Sequence, residues 1–259
     1  MNGRRKFLGL SLIGFLSACA ASGLESIDSS AINLTISAAS SLQDVIQELG
    51  NLYCQQKPDI KFIYNFGSSG SLRHQIEQGA PVDIYIAAAE QHMDNLAQKN
   101  LLLSNTRQNL LQNELVLITG QNNVKVAQFS QLSSNAVSKI AIGDPDSVPA
   151  GQYAKQTLDS LQLSKSLATK FVFAKDVRQV LTYVETGNVD AGIVYRTDAN
   201  LSRQVKILET APANSHSPIV YPIAVVRHSK QPTNARNFVK FLLSNDAQNI
   251  FAGYGFVSQ

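Results

Sequence analysis

Ile32-Asn33-Leu34-Thr35-Ile36-Ser37-Ala38-Ala39-Ser40-Ser41-Leu42-Gln43-Asp44-Val45-Ile46-Gln47-Glu48-Leu49 changes its hydrophobic period halfway along. Ile32, Leu34 and Ile36 alternate, which is the spacing of a strand with one buried face. Leu42, Val45, Ile46, Leu49 and Tyr53 then fall on one side of a helix. Serines stand at the change of period. The same strand-then-helix unit recurs, with a strand over 61–66 before a helix over 71–78 and a strand over 82–87 before a helix over 90–98. Residues 114–119, 139–142, 171–174 and 191–195 also read as strands, with helical stretches over 151–163 and 177–185 among them. Strands alternating with helices predict an α/β fold of mostly parallel sheets flanked by helices. In such sheets a ligand binds beyond the carboxyl ends of the strands.

The remaining chain adds a strand over 219–226 and helices near 234–243 and 246–252. If this last part returns to the first half, the fold has two lobes, one of residues 32–113 with 222–259 and one of 114–221, with the ligand in the cleft between them. Spacing alone leaves that return open.

At the N-terminus, Arg4, Arg5 and Lys6 precede an apolar run over 7–16, the order of an export signal. The run is too short to span a bilayer as a helix. Leu16-Ser17-Ala18-Cys19 follows and resembles the lipobox of bacterial lipoproteins, which implies cleavage after residue 18 and a lipid on Cys19. Arg4-Arg5-Lys6-Phe7-Leu8 also partly resembles a twin-arginine signal, so the export route stays open. Residues 19–31, rich in small and polar side chains, read as a tether. Of 259 residues, cleavage leaves 241, enough for two compact lobes. The net charge of +3 comes from 22 basic and 19 acidic residues, and removing Arg4, Arg5 and Lys6 leaves 19 against 19. No basic surface for nucleic acid is expected. Cys54 is then the one thiol in the folded part and reads as a packing residue.

Two serine-rich turns stand directly before helices: Ser40-Ser41-Leu42 and Gly67-Ser68-Ser69-Gly70-Ser71. The first N–H groups of a helix lack intrahelical partners and carry partial positive charge, so they favour an anion. A hydroxyl adds a donor, and Gly67 and Gly70 would let the backbone come close to a ligand. Taken singly, such serines more often only cap their own helices. Further helix entries stand at Asp144-Pro145-Asp146-Ser147-Val148-Pro149-Ala150-Gly151 and at Lys175-Asp176-Val177-Arg178, with Asp176 expected as a cap. Gly192-Ile193-Val194-Tyr195 ends a buried strand on a phenol.

At these residues, and over essentially the whole chain after the tether, the sequence resembles the periplasmic molybdate-binding proteins of ABC transporters. Ala38-Ala39-Ser40-Ser41-Leu42, Phe66-Gly67-Ser68-Ser69, Gly79-Ala80-Pro81-Val82-Asp83 and Gly143-Asp144-Pro145 with Val148-Pro149-Ala150-Gly151 carry the likeness. So do Asp176-Val177-Arg178, Gly192-Ile193-Val194-Tyr195 and Tyr254-Gly255-Phe256. The resemblance implies a two-lobed periplasmic-binding-protein fold. It implies an oxyanion held by the hydroxyl and N–H of Ser41 and Ser69, the N–H of Ala150 and Val177, and the hydroxyl of Tyr195. Molybdate or tungstate would be the ligand, an ABC permease the partner, and the protein a monomer without catalysis, cofactor or resident metal. Ser40 departs from the family, where an Ala is common, and Gly70 stands where another Ser often follows. A site made only of donors suits a fully ionised dianion better than protonated phosphate, and size should set sulfate at least tenfold below molybdate.

Rival readings are a binding protein of the same fold for another small anion, for an amino acid or for a sugar, and a serine hydrolase. Gly67-Ser68-Ser69-Gly70 is not the Gly-x-Ser-x-Gly elbow. Of the four histidines, His74 and His92 read as solvated residues on polar helical stretches, and His216 sits in a loop.

Overall fold

The computed structural model describes residues 31–258. The export signal over 1–18, Cys19 and the tether as far as residue 30 lie outside the described residues. Strand β1 (Ile32–Ala39) passes through a single 3-10 turn, Ser40–Leu42, into helix α1 (Gln43–Gln56). Then follow β2 (Ile60–Gly67), α2 (Ser69–Glu77), β3 (Ile84–Ile86), α3 (Glu90–Gln98) and β4 (Gln108–Gln112). The middle of the chain forms β5 (Leu115–Gly120), β6 (Ile140–Gly143), α4 (Pro149–Ser160), α5 (Ser164–Leu167), β7 (Phe171–Ala174), α6 (Val177–Glu185), β8 (Ala191–Tyr195), α7 (Arg196–Asn200) and β9 (Val205–Thr210). It closes with β10 (Val220–Val225), α8 (Pro232–Leu242), α9 (Asn245–Gly253) and β11 (Val257–Ser258).

These strands make two sheets, ordered β11-β4-β10-β3-β1-β2 and β7-β6-β8-β5-β9. The α/β, two-lobed architecture is therefore present, and each sheet is mixed. β1 runs parallel to β2 and β3, and β6 runs parallel to β7 and β8, while β10, β11 and β5 pair antiparallel. The reason lies in the connections. Two residues, Asn113 and Glu114, carry the chain from β4 into β5 of the other sheet, and residues 211–219 carry it back from β9 to β10. Strands that enter from the other lobe arrive without a crossover helix and need not lie parallel.

The C-terminal segment returns because it has an apolar stripe to bury. Phe238 of α8 is fully buried, with its ring centroid 4.5 Å from that of Phe62 on β2 and 5.1 Å from that of Tyr53 on α1. Each such aromatic pair contributes roughly 0.5–1.5 kcal/mol beyond the area it buries. The helix expected over 71–78 begins two residues earlier, at Ser69, because Ser68 caps it: its Oγ accepts from Ser71 N–H at 3.2 Å. Strands β4, β9 and β11 and helix α7 carry too little periodicity to be read from sequence. His92 differs from expectation as well, since it faces the core of α3 and is 3% exposed.

Candidate functional site

Register decides why distant turns meet. Ala39 and Gly67 are the last paired residues of β1 and β2, and Ala38 pairs with Ile86 of β3, so the three strands end together. The turns that follow, Ser40–Ser41, Ser68–Ser69 and Ala88, stand side by side on one edge of the first lobe. In the second lobe Gly143 pairs with Ala174 and Ala141 with Gly192. The entries to α4 and α6 and the end of β8 at Tyr195 are thereby set along a matching edge.

Between the two edges lies a tight space of about 190 Å³, lined by Ala39, Ser40, Ser41, Gly67, Ser68, Ser69, Ala88, Val148, Pro149, Ala150, Val177 and Tyr195. Ser41, Ser69, Ala150, Val177 and Tyr195 are thus brought to one cavity, and all five are buried. No charged side chain lines it. The space is narrow and lined by donors, which suits a compact oxyanion better than a sugar ring or an amino acid with its side chain. A larger, open hollow on the second lobe, lined by Ile142, Leu158, Phe171 and Phe173 together with Lys155, Asp159 and Lys165, has none of these five residues on its wall.

The donors are unspent. Asp176 caps α6 by accepting from Gln179 N–H at 2.9 Å, and α4 opens at Pro149, which has no N–H, with no side-chain cap. Gly151, beside Ala150, donates to the Val148 carbonyl at 2.9 Å and is not free. Among the described residues, the backbone N–H groups of Ser41, Ser69, Ala150 and Val177 have no acceptor. Neither Ser41 nor Ser69 caps a helix. Ser69 Oγ accepts from Ala88 N–H at 2.9 Å, and Ser41 Oγ lies 3.0 Å from Tyr221 Oη. Tyr195 is 1% exposed, and its hydroxyl has no hydrogen-bond partner among the described residues. Burial and the neighbouring Tyr221 push its pKa well above the usual phenol value, so it is present as O–H. An unpaired buried polar group costs about 1–3 kcal/mol, and a cluster of such donors aimed at one space suits an anion.

The lobes stand closed on each other. Gly70 N–H donates to the Ser147 carbonyl at 2.9 Å across the cleft. A Cβ at Gly70 would lie 2.6 Å from that oxygen, whereas one at Gly67 would meet only the Leu72 side chain at 3.7 Å. Gly70 therefore serves the approach of the opposite lobe, and Gly67 has room to spare. Arg178, next to Val177, reaches across to Asp44 at 2.6 Å, and on its own lobe it lies 2.5 Å from Asp198. Burial opposes the charge on Arg178, but Asp198 and Asp44 outweigh it and hold the guanidinium above its ordinary value. Asp198 is fully buried, which pushes its carboxyl up to about 6 despite the Arg178 charge. Asn113, Asp198 and Tyr221 carry no motif that marks them from sequence, and Arg178, though it stands in the Asp176-Val177-Arg178 motif, has ion-pair partners that the motif does not reveal, since each works through a residue distant in the chain.

A buried cavity of uncharged donors at the meeting of two lobes is the geometry of a solute-binding protein. The sequence profile described as "Bacterial extracellular solute-binding protein" matches residues 34–257. A Bacillus subtilis protein, YvgL, provisionally named an ABC transporter substrate-binding lipoprotein, is 44% identical over 88% of this chain and 87% of its own. The molybdate-binding protein ModA of Haemophilus influenzae is 38% identical over 86% of this chain and 89% of its own. Among solved structures, the periplasmic molybdate-binding protein of Azotobacter vinelandii superposes with a TM-score of 0.80 at 25% identity, covering 87% of this chain and 99% of that one. The chain belongs to the bacterial extracellular solute-binding protein family and is ModA-like within it.

Proposed function

We propose that this protein captures molybdate, and tungstate with it, outside the cytoplasm and delivers it to the permease of an ABC importer. The buried, partnerless hydroxyl of Tyr195, in a cavity with four unpaired N–H groups, is the observation that carries the reading. The ligands are Ser41, Ser69, Ala150, Val177 and Tyr195. The first lobe comprises 32–113 with 222–259, the second 114–221, and closing them on the ion creates the form the permease recognises. Names of relatives that bind molybdate support the choice of anion. The name of the Bacillus subtilis relative supports a lipid on Cys19 after loss of residues 1–18.

Neutral donors suffice for a dianion because their dipoles are already aimed at it. Each bond to a charged group is worth roughly 1.5–3 kcal/mol, and five residues giving one or two each exceed the roughly 4–15 kcal/mol cost of association. A net of about -8 to -12 kcal/mol corresponds to micromolar to nanomolar binding. Calorimetric titration of the signal-free protein, as a monomer, with molybdate, tungstate, sulfate and phosphate tests this. Molybdate and tungstate should bind alike and sulfate at least tenfold more weakly. Equal affinity for sulfate and molybdate would contradict the reading, and Ser69→Ala with unchanged affinity would remove Ser69 from the site. Membrane fractionation of the wild type against Cys19→Ser tests the anchor, which predicts release of the variant.

A further inference from the structure

A serine hydroxyl can accept or donate toward a ligand, so a site made only of donors needs something to hold its hydrogen in place. At Ser69 the Ala88 N–H fills a lone pair. At Ser41 the direction can be traced through three residues. Glu114 N–H, which can only donate, meets Asn113 Oδ1 at 2.9 Å, so the Asn113 amide nitrogen faces the other way. That nitrogen donates to Thr197 Oγ1 at 2.9 Å and to Tyr221 Oη at 3.2 Å. Tyr221 Oη accepts there and has a single hydrogen of its own; given to Ser41 Oγ, 3.0 Å away, that hydrogen sets one of the two directions the pair allows. Burial keeps Tyr221 a neutral phenol by raising its pKa. The Ser41 hydrogen is then left for the cavity.

We propose that Asn113 and Tyr221 are positioning residues that hold Ser41 as a donor and so make the cavity reject oxyanions that carry a proton. Both belong to the segments where the chain passes between lobes, Asn113 between β4 and β5 and Tyr221 near the start of β10. The inference rests on the oxyanion reading of the cavity. Its test compares inorganic sulfate and inorganic phosphate near pH 8, dianions of similar size that differ in one proton, in competition against molybdate.

Tyr221→Phe removes the donor to Ser41 and frees its hydroxyl to turn and accept. The sulfate-to-phosphate affinity ratio should shift toward phosphate by at least tenfold, the scale of one bond to a charged group. Asn113→Asp, the same shape with acceptors in place of donors, should reverse the relay: Tyr221 turns to the carboxylate, and Ser41 donates to Tyr221. Molybdate affinity should then fall by at least tenfold, with the ratio shifting the same way. A merely loosened cavity would weaken sulfate and phosphate together. An unchanged ratio in either variant, with melting showing it folded, overturns the proposal. A wild type that binds no oxyanion overturns the reading of the cavity instead.

Discussion

Replacing Gly70 by Ala should separate ligand affinity from stability. Gly70 sits in the first turn of α2 with ordinary helical backbone, so the substitution strains nothing locally. In the closed form the new Cβ would stand 2.6 Å from the Ser147 carbonyl oxygen and 2.8 Å from its Cα. Ordinary contact begins near 3.4 Å, so the two turns must part by roughly 0.8 Å (3.4 less 2.6). The obstacle is backbone on both sides, and no rotamer relieves it. The Gly70 to Ser147 hydrogen bond, 2.9 Å now, would stretch beyond bonding range. An anion resting on Ser41 and Ser69 would lose good geometry to Ala150 and Val177, two bonds worth roughly 1.5–3 kcal/mol each. Allowing for partial compensation by water, affinity should fall by about 2–4 kcal/mol, or roughly 30- to 700-fold. The ligand-free protein can open and escape the clash, and Ala is the better helix former by up to about 1 kcal/mol. Calorimetry with molybdate, beside thermal melting without it, reads both effects. Wild-type affinity in Gly70→Ala would refute the idea that the ligand is bound in this closed geometry.

Tyr195→Phe should weaken molybdate binding by about 1–3 kcal/mol while leaving the ligand-free protein equally or more stable, because the hydroxyl removed has no partner; parallel titration and melting check it. Arg178→Met strands the buried Asp198 carboxylate and should destabilise by about 3–5 kcal/mol, with Asp198→Asn added in the same chain recovering most of the loss, as denaturant curves would show. His92 is buried with both ring nitrogens unpartnered, and burial, with Arg73 and His74 nearby, pushes its pKa down to about 4. The unfolded chain takes up that proton below about pH 6.5 and the folded one does not. The contribution of His92 is therefore present above about 6.5 and lost as pH falls toward 4, by about 3 kcal/mol in all. Unfolding free energies across that range should show the slope, and His92→Leu should remove this part of it.

Local physics made much of this protein legible in one dimension. Alternation over 32–36 and helical spacing over 42–53 depend only on which neighbours face the same side, so the α/β repeat and most elements follow from the chain itself. The serine turns, Pro149 and the Asp176 cap are legible for the same reason, since a helix start is chemistry within four residues. What lay beyond reach depends on contacts between residues far apart. β4 and β9 become strands because β10 and β5 offer them hydrogen-bonding edges, not because their own residues alternate. His92 is buried because a polar helix turned that face inward. Gly70 answers to Ser147, Asp198 to Arg178, and Ser41 to Tyr221, which is 180 residues away. Periodicity can set a donor at the end of a strand. Only the packed lobes decide what fills its lone pairs, which way its hydrogen points and which donors remain unpaired, because those are properties of the space between segments that the sequence keeps apart.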